Sequence, residues 1–404
     1  MYCADRIRSS SERKRLKPAF HYRLNKRIRY AAMKTMSTLV ARSEKESLDY
    51  RKERIEKILL VRTTFRIGDS ILTTPAISIF RENFPGARID FVGGPISRIL
   101  FQNLPIDHHY QITRRFPNVS WAYLLLLRQI RSVGYDLAIE LSYSQSTMGS
   151  FIVGLSGARF TVGREGKWDQ WFNIKLPKMA NIVEVSKYKR LPVLLGSLGL
   201  ETKEIFPSII LSFAEKEEGQ RRIASLIGQD TCPIVGVFVG GRVSWGKRWP
   251  KEHFLALVIA LHARGVKIIV FIGPEEKELI AFFTRNLPTG VPLVYDVALR
   301  TFAAMVSNCQ LFVACDSGPM HLACALGVRT VAIFQNPNFK RWGPPPELGR
   351  SLYQPERVSV QQVISACLDE LSLINASSHR AGEARKATHT SQTQTLQLTH
   401  DRHQ

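Results

Sequence analysis

The stretch LFVACDSGPMHLACALG, residues 311–327, reads as a buried strand that turns at once into a helix. Leu311 to Ala314 is an apolar run of strand length, and it breaks at Asp316-Ser317-Gly318-Pro319. Met320, Ala323, Cys324 and Gly327 then continue at helical spacing. Asp and Ser are good N-cap residues, and proline is favoured in a helix's first turn. The segment therefore predicts a helix N-terminus at the carboxyl end of a strand. Such an end carries unpaired N–H groups and a positive dipole, which suit a phosphate. An ordinary strand-turn-helix corner has the same sequence, so this segment alone leaves both readings open.

Two further segments have related layouts. In ILLVRTTFRIGDSILTTPAISIFRENFPGARIDFVGG (58–94), Ile58–Val61 is a short apolar strand, followed by the loop Arg62–Gly68. A helix is predicted from Asp69 to Asn83, closed by Phe84-Pro85-Gly86, with a second strand at Ile89–Val92. Asp69 thus stands at a helix start beside the carboxyl edge of a parallel sheet, where ligands of open α/β sheets bind; it is equally placed to be a simple N-cap. In PIVGVFVGGRVSWGKRWPKEHFLALVIALHARGVKIIVFIGPEEKE (233–278), the strand Ile234–Val239 runs into Gly240-Gly241, which lets backbone approach a ligand closely. Arg242, Lys247 and Arg248 add positive charge to that loop, Pro250 opens a helix, and Val266–Ile272 is the next strand. Glu275 and Glu276 follow it, where an acid commonly bonds ribose hydroxyls; helix N-terminal acids are the plainer account.

Taken together, the strings IGDSILTTPAISIFRENFPGARID, SWGKRWPKEHF and CDSGPMHLACALGVRTVAIF, the last continuing into RWGPP (341–345), resemble glycosyltransferase family 9, the heptosyltransferases of lipopolysaccharide core assembly. The resemblance covers roughly residues 55–375 and keeps the family's motif order. One departure is the loop Gln335-Asn336-Pro337-Asn338-Phe339, where family members carry a Gly-Pro-Thr/Ser-Asp type of sequence.

The resemblance implies an α/β chain of GT-B type, with two Rossmann-like domains facing across a cleft. The alternation of strand and helix in both halves, over a length too great for one ordinary core, agrees. The expected layout is a basic extension (1–54), an acceptor domain (55–205), a nucleotide-sugar domain (206–375) and a tail (376–404) rich in Ser, Thr, Gln and His. Strands are expected at 135–141, 158–162 and 207–211, and a helix near 358–373 is expected to return to the first domain. The implied activity is inverting transfer of a heptose, or a related sugar, from an ADP-activated donor to a lipid-linked glycan. Catalytically, the resemblance makes Asp69 the general base, Lys247 the group that neutralises charge on the leaving phosphate, and Asp316 a residue that lies beside the donor sugar or orders the phosphate loop. Donor contacts fall to Gly240, Gly241, Glu275, Glu276, Ser317, Gly318, Pro319, Met320 and His321, and acceptor contacts to Arg62 and Arg66. Trp245, Arg248 and Trp249 read either as packing or as loop contacts. No cofactor or metal is expected, and the sequence has no DxD motif. A catalytically inactive GT-B binding protein and a nucleotide-sugar epimerase are the alternatives; the intact trio Asp69, Lys247 and Asp316 weighs against the first.

The chain carries 56 Lys and Arg against 34 Asp and Glu, a net charge of +22. Residues 1–57 hold 17 of the basic and 7 of the acidic residues, so they contribute nearly half of that excess. Phe20, Leu24 and Ile28 recur at near-helical spacing among Arg23, Lys26, Arg27 and Arg29. That pattern suits a helix on an anionic membrane surface, and a solvated basic arm equally; nucleic acid is not expected, because no recognition motif accompanies the charge. No apolar run has the roughly 18 residues of a membrane span, and no signal-peptide hydrophobic region is evident. The six cysteines form no CxxC pair; Cys309, Cys315 and Cys324 are expected as buried thiols. A cytoplasmic protein, peripheral at the inner membrane, is the resulting expectation. If residues 1–50 attach it, their deletion should abolish sedimentation with anionic vesicles and spare transfer to a soluble acceptor. Vesicle binding that survives both the deletion and high salt would place the contact elsewhere.

Overall fold

The computed structural model describes residue 35 and residues 53–113, 121–176, 184–203, 205–228, 232–374 and 376. The expected basic extension and tail therefore lie outside the described residues, apart from residues 35, 53, 54 and 376. The chain divides into two compact units between Pro207 and Ser208.

The first unit is a six-stranded parallel sheet in the order β3-β2-β1-β4-β5-β6. Its strands are β1 (Lys57–Val61), β2 (Arg88–Gly93), β3 (His108–Gln111), β4 (Leu137–Glu140), β5 (Phe160–Arg164) and β6 (Ile174–Leu176). Its helices are α1 (Ile67–Ile71), α2 (Thr74–Asn83), α3 (Pro95–Leu100), α4 (Trp121–Val133), α5 (Thr147–Leu155) and α6 (Arg190–Gly196). Ile58, Leu59, Leu60 and Val61 are wholly buried. A central parallel strand is covered on both faces, which is why β1 is a continuous apolar run rather than an alternating one.

The second unit repeats the plan in the order β12-β11-β10-β7-β8-β9, again all parallel. Its strands are β7 (Ile234–Phe238), β8 (Lys267–Phe271), β9 (Leu293–Val294), β10 (Leu311–Cys315), β11 (Arg329–Phe334) and β12 (Gly349–Tyr353). Its helices are α7 (Phe213–Ile227), α8 (Lys251–His262), α9 (Ile280–Asn286), α10 (Leu299–Val306), α11 (Gly318–Ala325), α12 (Phe339–Trp342) and α13 (360–374). In each unit the strand order reverses beside the first strand, between β1 and β4 and between β7 and β10. That is the doubly wound Rossmann order, whose crevice opens at this reversal.

Several local expectations change. The helix expected from 69 to 83 is two helices, because Pro75 in the first turn of α2 has no N–H to carry the ladder through. At the break, the Thr73 hydroxyl donates to the Asp69 carbonyl (2.8 Å) and the Thr74 hydroxyl to the Ile71 carbonyl (2.9 Å). Residues 207–211 form no strand. The Ile209 N–H bonds the Ala325 carbonyl at 3.0 Å, at the end of α11, so the segment closes a helix end and extends no sheet. The strand expected at 158–162 begins two residues later, at Phe160, and runs to Arg164. Val363, Ile364, Cys367 and Leu371 of α13 pack with Trp249 and Phe254 in the second unit's own core. Buried Glu370 fixes this helix by pairing with Arg329 (2.6 Å) and Arg350 (3.3 Å).

Gly219 tests how tightly α7 and α10 pack. A Cβ there would stand 2.4 Å from the Ala304 carbonyl oxygen, a backbone atom that cannot swing aside. Alanine in an open helix stabilises by about 0.5–1 kcal/mol relative to glycine. Gly219→Ala should instead lower the unfolding temperature, since overpacking costs about 1–3 kcal/mol. A raised temperature would mean that the two helices part freely.

Candidate active site

In the second unit, the loops after β7 and β10 leave adjacent strands, Ala314 pairing with Phe238. The glycines after β7 are required by space and backbone. A Cβ on Gly240 would lie 2.3 Å from the Phe238 ring and 2.7 Å from the Glu276 carboxyl carbon, and Gly241 holds φ +155°. Glu276 is buried, and its Oε1 accepts the Gly241 N–H at 3.1 Å. This contact holds the Gly240–Gly241 turn, and burial raises the Glu276 pKa above the ordinary carboxylate value. Glu275 stands exposed beside it.

Further along this loop, Lys247 Nζ meets Asp316 Oδ2 at 2.5 Å, with both side chains largely buried. The ammonium lies 5.4 Å from the Trp245 ring and 5.9 Å from the Trp342 ring. Arg248 donates from Nε to the Gly241 carbonyl (3.1 Å) and pairs with Glu278 (2.7 Å). Trp249 is core: it is wholly buried, and its indole N–H donates to the Val358 carbonyl at 2.9 Å. Trp245, by contrast, is half exposed.

Asp316 leads directly into α11. Ser317 is the N-cap in extended geometry, and Pro319 sits in the first turn, as the sequence predicts. The Ser317 side chain makes no cap bond, and its buried Oγ has no hydrogen-bond partner. The first N–H groups of a helix, here at Gly318, Met320 and His321, have no intrahelical partner. The Met320 side chain is in the core, so only its backbone faces this turn. The His321 ring is buried 6.1 Å from the Trp342 ring; burial, with Lys247 adding to it, lowers its pKa to about 3, so it is neutral.

In the first unit, α1 starts after the N-cap Arg66, which places Asp69 inside the first turn rather than at the cap. Its carboxylate faces Arg62 (3.6 Å) and Arg66 (3.9 Å). Arg62, expected to contact the acceptor, is buried behind Asp69. It donates to the Leu141 carbonyl at 3.4 Å and lies 5.0 Å from the Tyr143 ring. Arg66 is half exposed. Sequence reasoning missed the rest of this cluster. Lys187 and Arg190, both buried, stand 4.0 and 5.6 Å from the same ring. Glu140, at the end of β4, is 1% exposed, and burial raises its pKa to about 7 against the opposing pull of Ser142 and Arg62. An acid closing the apolar run LAIE was the one local signal; Lys187 and Arg190 have none, since only the fold brings them to Tyr143. Among the described residues, no group of three or more His, Cys, Asp or Glu could hold a metal ion.

The profile of glycosyltransferase family 9 (heptosyltransferase) matches residues 123–365, more than half of the chain. The chain belongs to glycosyltransferase family 9. It is a heptosyltransferase-like glycosyltransferase of GT-B fold. Lipopolysaccharide heptosyltransferase 3 of Escherichia coli is 26% identical over 295 residues, covering 69% of this chain and 83% of that protein. The crystal structure of a family 9 glycosyltransferase from Veillonella parvula superposes with a TM-score of 0.71 at 23% identity, over 82% of this chain and 99% of that one. E. coli ADP-heptose lipopolysaccharide heptosyltransferase II superposes with a TM-score of 0.66 at 18% identity, over 80% and 99%.

The Glu276 contact is open to test. Glu276→Gln keeps an oxygen for the Gly241 N–H and should leave thermal stability nearly unchanged. Glu276→Ala strands that buried N–H, at a cost of about 1–3 kcal/mol. Equal unfolding temperatures for the two variants would show that the contact carries no weight.

Proposed function

We propose that this family 9 enzyme transfers a heptose, or a closely related sugar, from an ADP-activated donor to a lipopolysaccharide core or related glycan, with inversion. The observation that carries this reading is the Lys247–Asp316 pair at the start of α11. The names of its relatives support the sugar, the nucleotide and the class of acceptor. The second unit is the nucleotide-sugar domain and the first is the acceptor domain.

The donor diphosphate lies on the first N–H groups of α11 and beside the Ser317 hydroxyl, and it draws Lys247 from Asp316. Asp69 accepts the proton of the acceptor hydroxyl. The freed oxygen pair attacks the anomeric carbon from the face opposite the diphosphate, the carbon–oxygen bond to phosphate breaks, and its electrons leave with ADP. Lys247 neutralises the charge that develops there, a preorganised electrostatic contribution of the kind that dominates many enzymes. These groups supply the positive charge themselves, so the proposed transfer is metal-independent. Half-exposed Arg66 meets anionic groups of the acceptor, while Arg62, Lys187 and Arg190 keep that side of the unit positive. No helix among the described residues is long and apolar enough to cross a membrane. We place the enzyme at the cytoplasmic face of the inner membrane, held peripherally by its basic residues 1–54.

Two substitutions separate the roles. Asp69→Asn should lower turnover by about 10²–10⁴ and leave ADP affinity nearly unchanged. Lys247→Ala should weaken both, a charge-assisted contact being worth about 1.5–3 kcal/mol. Full turnover in folded Asp69→Asn, or unchanged calorimetric ADP affinity in Lys247→Ala, would remove that residue from the mechanism. Loss of activity in EDTA, restored by Mg²⁺, would overturn metal independence.

A further inference from the structure

Helix α4 is apolar on two opposite faces. Tyr123, Leu127 and Ile130 enter the first unit's core, where they pack with Phe151, Ile152 and Val153 of α5. The other side carries Trp121, Leu124, Leu125 and Arg128, at the i, i+3, i+4, i+7 spacing of one helical stripe. Trp121 is 81% exposed, Leu124 49% and Leu125 59%, and Arg128 is exposed beside them. A single exposed leucine needs no account, but a helix that is apolar all round is ordinarily buried. The outer stripe therefore calls for something to cover it.

The charge on and around α4 selects the cover. The helix has two cations, Arg128 and Arg131, and no acid, and neighbouring α5 has no charged residue. Arg131 donates to the Leu155 carbonyl (3.3 Å) at the end of α5, whereas Arg128 shares the stripe with the apolar residues. A second copy of this chain, meeting the stripe across a two-fold axis, would set Arg128 beside its own counterpart with no carboxylate on either helix. An anionic lipid surface suits every member of the stripe. Tryptophan and arginine reside at headgroup level, and leucines enter the acyl boundary. The chain's net charge of +22 draws it towards such a surface.

We propose that Trp121, Leu124, Leu125 and Arg128 of α4 form a docking surface for an anionic lipid bilayer. This surface is separate from the basic residues 1–54, and it rests neither on them nor on the role of Asp69. The Tyr123 hydroxyl donates to the Thr113 carbonyl (3.4 Å), two residues beyond β3, so α4 begins at the carboxyl edge of its sheet. Asp69 follows β1 at that same edge. Docking through the first two turns of α4 brings the lipid surface to the edge that a lipid-linked acceptor has to reach.

The test is the partition of the full-length chain, basic extension included, onto vesicles of phosphatidylglycerol and phosphatidylcholine. The double variant Trp121→Ser/Leu125→Ser should bind about tenfold or more weakly in low and in high salt alike, because the lost contact is apolar. Arg128→Gln should bind about fivefold more weakly in low salt and nearly as wild type in high salt. Brominated phosphatidylcholine should quench part of the wild-type tryptophan emission. Trp121→Phe keeps an aromatic ring on the stripe, so it should still bind and should lose that quenching. Unchanged partition of the double variant, or equal quenching in Trp121→Phe, overturns the proposal even where residues 1–54 hold the chain to the vesicle. The double variant removes no core contact, so its unfolding temperature should not fall. A fall would mean that the chain itself covers the stripe, and a wild-type dimer that the double variant dissociates would give the stripe to a second copy; either result overturns lipid docking.

Discussion

Two parallel strands that leave a sheet's centre towards opposite sides cannot share a covering loop, and this constraint organises both units. Between β1 and β4, and again between β7 and β10, the connections diverge and expose a strip of backbone at the carboxyl edge. The site residues described above collect there. Arg62 and Asp69 follow β1, Glu140 ends β4, Gly240 to Lys247 follow β7, and Asp316 and Ser317 follow β10. The sheets supply the rigidity. Their central strands are apolar and covered on both faces, so the loops spring from fixed points.

Charge at these points is held in pairs, and the pairs differ in how tightly they close. Lys247 and Asp316 are in contact. Opposite in charge and both largely buried, they offset one another electrostatically. A buried ion pair is weak evidence of stability, because desolvation offsets much of its attraction. Its position at a helix N-terminus therefore says more than its energy. In the first unit Arg62 meets Asp69 only loosely, and three further cations, Arg66, Lys187 and Arg190, surround the same region. That imbalance favours anionic ligands on this side as well.

Several residues within the motifs make contacts that shape the site. Glu276 ties down the Gly240–Gly241 turn, Trp249 fills the core, and the His321 ring is buried and neutral beside Trp342. A motif marks the loop that matters without separating side chains that touch the ligand from those that shape the loop. Trp342 shows the converse. It lies in the quoted RWGPP string, yet its place near Lys247 follows from α12 folding back beside α11, which no local pattern specifies.

The sequence by itself determined the alternation of apolar strands with helices, the two-unit plan, the glycine turn after β7 and the proline-led start of α11. All of these rest on short-range rules: hydrophobic runs, proline's missing N–H and glycine's freedom. The tertiary structure alone decided which ends of those elements meet. Lys187 and Arg190 join Tyr143 across more than forty residues of chain, and α13 packs into the second unit's core. Residues 207–211 look like a strand and are not one, because no sheet edge receives them and a helix end does. Burial and partnership are set by what the rest of the chain places opposite a residue, and local sequence carries no record of that.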